Sequence, residues 1–140
     1  MSMVETDNAG SSRAWIDYDY ALVRIVPRVD LGAFINVGVV LHARTADFLD
    51  ARLHVNMARL ASIGAPLDTN MLLRCVEAYC RVCRGGVEGG PIGLLPPSER
   101  FHWLTAPRSA VLQTSAVHPG RCHDPRAALD ELFRRHCIIG

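Results

Sequence analysis

The chain has 140 residues, 49% of them apolar and 21% charged. That suits one soluble domain burying roughly two-thirds of its unfolded surface. Fifteen basic residues against fourteen acidic ones leave a net charge of +1, so no global basic field exists to make nucleic acid an expected partner. No apolar run approaches the ~20 residues of a membrane span. The polar start lacks the order of a secretory signal, and a cytoplasmic location is expected.

Every basic residue is arginine. Arginine-rich coding explains this blandly; the functional alternative is a set of guanidinium forks that grip phosphates or carboxylates. Five cysteines make an odd number without export signals, which argues against a disulfide framework. Small buried apolar side chains are their default role.

Residues 1–14, rich in Ser, Asp, Asn and Gly, read as a loose tail before a single domain over 15–140. Tyr18 to Val26 reads as a strand that Pro27 stops, because proline cannot donate to a ladder. A second strand runs from Phe34 to His42, with Ile35, Val37, Val39 and Leu41 on one face opposite Ala21, Val23 and Ile25. Gly38 within it points to close approach of a neighbouring group. Phe48 to Val55 alternates like a third strand, and Met57 to Ile63 makes one or two helical turns ended by Gly64 and Pro66.

Asp68 or Thr69 caps a helix reaching about Arg84, with Leu72, Val76, Tyr79 and Val82 or Cys83 as its buried stripe. Residues 85–98 form a Gly/Pro connector, and without a lysine it is no phosphate loop. The segment P-R-S-A-V-L-Q-T-S-A-V reads as a further strand. Asp124-Pro125 then opens a last helix, whose stripe is Leu129, Leu132 and Phe133. The expected fold is α+β: an antiparallel sheet of about four strands with two main helices packed on one face.

Several motifs taken together resemble a bacterial family, the domain of unknown function 3037. Its signature combines Y-x-Y-x-x-x-R-x-x-P, G-E-F-x-N-x-G-V, F-x-x-L-x-x-P-R-S-x-x-x-Q-x-S and D-P-x-x-x-L-x-x-L-F. The chain supplies Tyr18, Tyr20, Arg24 and Pro27, then Gly32, Phe34, Asn36, Gly38 and Val39. It continues with Phe101, Leu104, Pro107, Arg108, Ser109, Gln113 and Ser115, and closes with Asp124, Pro125, Leu129, Leu132 and Phe133. It departs at Ala33, where the pattern has glutamate, so chemistry that needs that carboxylate is not available here. The resemblance implies a cytosolic domain of unassigned activity whose genes lie beside those of HipA-like kinases.

The candidate site is a polar face of Tyr20, Arg24, Asn36, Arg108, Ser109, Gln113 and Ser115. Two arginines with Asn, Gln and Ser suit an anionic ligand or a partner's carboxylate. An internal hydrogen-bond network that fixes register is the alternative. Cys80-x-x-Cys83 falls within one helix, far from His118, Cys122 and His123, so buried cysteines outweigh zinc and no metal or cofactor is expected. No nucleophile elbow or metalloprotease motif occurs. The reading leans away from an enzyme and toward an accessory protein that binds a HipA-like kinase. The alternative is an enzyme or binder acting on a phosphorylated or nucleotide-like small molecule through Arg24 and Arg108.

Overall fold

A computed structural model of the chain describes residues 14–28, 33–62, 67–108 and 110–137. The expected tail over 1–13, the turn at Gly64 and Pro66, and Ser109 lie outside these residues. Strands β1 (Ile16–Arg28), β2 (Ala33–Ala43) and β3 (Phe48–Leu53) come first. Helices α1 (Met57–Ser62), α2 (Thr69–Arg84), α3 (Gly90–Gly93) and α4 (Pro97–Leu104) follow. Two short strands, β4 (Leu112–Thr114) and β5 (His118–Cys122), then lead to helix α5 (Pro125–Cys137).

The sheet is antiparallel, in the order β3-β2-β1-β4, with β5 also paired to β1. β4 lies along Val23–Ile25 and β5 along Ile16–Tyr20 of the same strand. Ser115 joins these two pairings. Its amide donates to Leu22 O (2.8 Å), and its Oγ accepts from Leu22 N–H (2.9 Å). The single strand expected over residues 107–117 is thus a three-residue strand, and β5 is additional. β5 reads H-P-G-R-C, with no alternation to reveal it. The first strand also continues past Pro27 to Arg28, through an irregular register between Ile25 and Arg28.

Apolar side chains cover both faces of the sheet, which corrects the expectation of helices on one side. Ala21, Val23, Ile25 and Val40 pack with Leu72, Tyr79, Val82 and Cys83 of α2 and with Phe101 and Leu104 of α4. On the other face Val39, Leu41 and Ala43 pack with Leu129, Leu132 and Phe133 of α5. Both layers are needed because neighbouring residues of a strand point to opposite sides.

The strict alternation expected along the second strand also fails at one place. Val23 pairs with Gly38, but Arg24 pairs with Asn36, so Val37 is an extra residue in β2. A bulge of this kind reverses which face each later residue takes. Val37 and Ile35 therefore join the α2 side while Val39 and Leu41 lie on the α5 side. Gly38 takes the α2 face with its partner Val23. A Cβ there would lie 2.5 Å from Arg52 O and 2.6 Å from Leu53 Cγ, the close approach its presence implies.

Local signals set the helix ends. Asp68 Oδ1 accepts from Met71 N–H (3.0 Å), and Asp124 Oδ1 accepts from Arg126 N–H (3.0 Å), each satisfying a first-turn donor. At its far end α2 is tied to α4 by Arg100. This guanidinium donates to Val82 O (3.0 Å), Cys83 O (2.7 Å) and, through Nε, Leu95 O (2.9 Å). It thereby satisfies last-turn carbonyls that have no partner within the helix.

The cysteines of α2 do not converge: Cys75 is exposed, Cys80 half-buried and Cys83 buried. Burial first, then nearby acidic groups, pushes the Cys83 thiol up to about 12. Among the described residues no three His, Cys, Asp or Glu side chains come together to hold a metal. No described helix is long and apolar enough to cross a membrane.

Replacing Gly38 with Ala is expected to cost about 1–3 kcal/mol, since backbone must move to admit the methyl group; urea unfolding followed by circular dichroism measures it. Arg100→Met removes three hydrogen bonds and strands buried carbonyls, at a cost of about 2 kcal/mol or more, with Arg100→Lys restoring only part of it. In a thiol titration of native protein Cys75 should react ahead of Cys83, which should become reactive only as the protein unfolds.

Candidate functional site

The bulge at Val37 brings three residues of the expected polar face into one row. Arg24 of β1 lies between Asn36 of β2 and Gln113 of β4, each its direct cross-strand partner. All three share the α5 face of the sheet, beyond the end that α5 covers. The Arg24 guanidinium lies over the Phe34 ring, 4.1 Å from its centroid. Phe34 is itself 48% exposed. Gln113 is held by its own loop, with Nε2 donating to Ala110 O (2.7 Å). Among the described residues, Arg24 Nε and Asn36 Oδ1 are buried and find no hydrogen-bond partner. One unsatisfied donor beside one unsatisfied acceptor, capped by an exposed ring, is unusual for a finished surface.

The remaining candidates go elsewhere. Arg108 lies in the α4 layer: it stacks on Trp103, 4.5 Å from the ring centroid, and its Nη2 donates to Trp103 O. It does not share a pocket with Arg24, which points to the other face. Ser115 is buried and spends its hydroxyl on Leu22 N–H and Ala116 O, as the internal-network reading would have it. Tyr20 packs against Tyr18 and His118, with ring centroids 6.0 and 5.5 Å away, on the α5 face but at the other end of β1. Ala33 is exposed near the polar row.

A second feature was not anticipated. An open cleft of about 1000 Å³ lies on the α4 face, at the end of the sheet opposite Arg24. Its walls come from four separate segments. Asp17 and Asp19 of β1 face His42 and Arg44 at the end of β2; Phe101, His102 and Thr105 of α4 close one side, and Pro119 and Arg121 of β5 the other. Asp19 and His42 are cross-strand partners. The His42 ring packs on Phe101 at 5.4 Å between centroids. Burial pushes the His42 imidazole below its ordinary value; Asp19 and Asp47 draw it up, while Arg44 and Arg100 push it further down. A histidine within an otherwise buried apolar run, V-V-L-H-A, was the sequence signal for this site.

The fold is that of a small mixed α+β single domain built on an antiparallel sheet. No motif or cluster for a specific chemistry is evident among the described residues. Over residues 20–137 the chain matches the family described as Protein of unknown function (DUF3037), and it belongs to that family. No curated protein and no solved structure matches the chain.

A histidine whose folded pKa lies below its unfolded one takes up protons more readily when unfolded. It therefore lowers stability as pH falls below the unfolded value of 6.5. Above that pH the group is neutral in both states and the effect vanishes. Urea unfolding at pH 7.5 and pH 5.5 should show lower stability at the acid point, and His42→Gln should reduce the difference.

Proposed function

We propose that this protein is a binding module that docks a partner protein on the Phe34–Arg24–Asn36–Gln113 end of its sheet. The observation behind the reading is the pair of buried, unsatisfied atoms, Arg24 Nε and Asn36 Oδ1, beneath the exposed Phe34 ring. Such groups cost free energy in the isolated domain, and a partner that completes them recovers it. Displacing Phe34 would open the guanidinium to a carboxylate or a peptide carbonyl, while Asn36 Oδ1 would accept an N–H. An exposed aromatic beside a planar guanidinium is the kind of pair that dominates many protein interfaces. The family resemblance suggests a HipA-like kinase as the partner and a cytoplasmic setting for the pair.

A phosphorylated or nucleotide-like ligand gripped jointly by Arg24 and Arg108 has less behind it. The two guanidiniums belong to different layers, and Arg108 is already engaged by Trp103.

Co-expression of the tagged chain with a HipA-like kinase should give a complex that survives affinity purification. Arg24→Ala and Asn36→Ala should each weaken it about tenfold or more, whereas Arg108→Ala should leave it intact. Undiminished binding by both folded variants would remove this face from the interface.

A further inference from the structure

The cleft on the α4 face is independent of the partner-docking reading, because it occupies the opposite end and the opposite side of the sheet. Its floor is His42, only 8% exposed. No hydrogen bond from a described residue reaches the ring, which faces the cleft from beneath Phe101. A neutral imidazole carries one donor and one acceptor. Open to the cleft and without a partner among the described residues, these are groups that an occupant can meet.

The charges around His42 describe that occupant. Asp19, beside it across the β1–β2 ladder, and Arg44, two residues further along the chain, line the same cleft without an ion pair between them. At the rim Asp17 and Arg121 do pair, at 3.2 Å, and offset one another. An anion alone would meet Asp19 as well as Arg44, and a cation alone would meet the reverse. A ligand carrying both charges satisfies both walls. The volume lies at the top of the ~300–1000 Å³ range of small-molecule sites, which is more than a single amino acid fills. Phe101 and Pro119 offer apolar lining between the charged ends.

We infer that this cleft binds a short peptide with free ends, its ammonium group held by Asp19 and His42 and its carboxylate by Arg44. The ammonium donates to the Asp19 carboxylate and to the unprotonated nitrogen of His42. The guanidinium of Arg44 donates to the carboxylate, in the two-pronged manner that favours arginine at such positions.

The test is a titration of the full chain with alanylphenylalanine, with its N-acetyl form and with its C-terminal amide. It is followed through the His42 imidazole resonances. The free dipeptide should shift them saturably, and each blocked form should bind about tenfold more weakly or worse. Asp19 and Arg44 are exposed, so variants there should keep the fold, checked by an unchanged melting temperature. Asp19→Asn should weaken the free dipeptide yet not weaken the N-acetyl form further; Arg44→Gln should behave in the same way toward the amide. No saturable change up to about 10 mM ligand, or equal binding by the blocked forms, would overturn the inference. So would an equal response to inorganic phosphate or adenosine monophosphate, which would make the cleft a simple anion site.

Discussion

One extra residue in β2 decides what each end of the sheet presents. With Val37 accommodated as a bulge, Val39 and Leu41 face α5 while Ile35 and Val37 face α2. Without it, strict alternation would place Asn36 on the same side as Val40 and bury it among the α2 contacts. The reversal keeps the α2 layer apolar along the whole strand. It also sets Asn36 opposite Arg24 on the other face, past the reach of α5. Gly38 sits beside the bulge because β3 passes too close there for any side chain.

From that arrangement the molecule acquires two unlike surfaces. At one end, the row of Asn36, Arg24 and Gln113 beside Phe34 holds polar atoms that the described residues do not complete. At the other end, α4 on one side and β5 on the other leave the cleft above His42. Arg100 holds this layer together by binding the last carbonyls of α2 from within α4. The free edge of the sheet is guarded as well. On β3, Asp50 Oδ1 accepts from Ala51 N–H (2.8 Å), which occupies a group that a passing strand could otherwise pair with.

What could be read from the sequence was mostly local. The capping aspartates Asp68 and Asp124 and the stripe Leu72–Tyr79–Val82 of α2 each depend on residues within a few positions. The pairing of Arg24 with Asn36 was legible too, since both interrupt apolar strands. Features that depend on distant partners were not. The bulge requires knowing that Gly38, not Val37, meets Val23. The placement of α5 on its own face follows from Val39 and Leu41 having been turned there. β5 contains Pro119 and Gly120 and lacks alternation, so only its pairing with β1 identifies it. Arg108 was grouped with Arg24 on the expectation that one strand over residues 107–117 joins the sheet, yet the strand covers only Leu112–Thr114 and the turn after α4 carries Arg108 to Trp103. The cleft draws on four segments separated by as much as the length of the domain, and no single stretch announces it.

The Phe34–Arg24 end of the sheet is proposed as the docking surface, and the choice of partner rests on that. Site-specific photo-crosslinking examines it directly, with benzoylphenylalanine placed in turn at Phe34 and at Trp103, an aromatic in the opposite layer. Position 34 should give a single adduct containing peptides of a HipA-like kinase, and position 103 none. No adduct at position 34, or equal adducts from both positions, would contradict it.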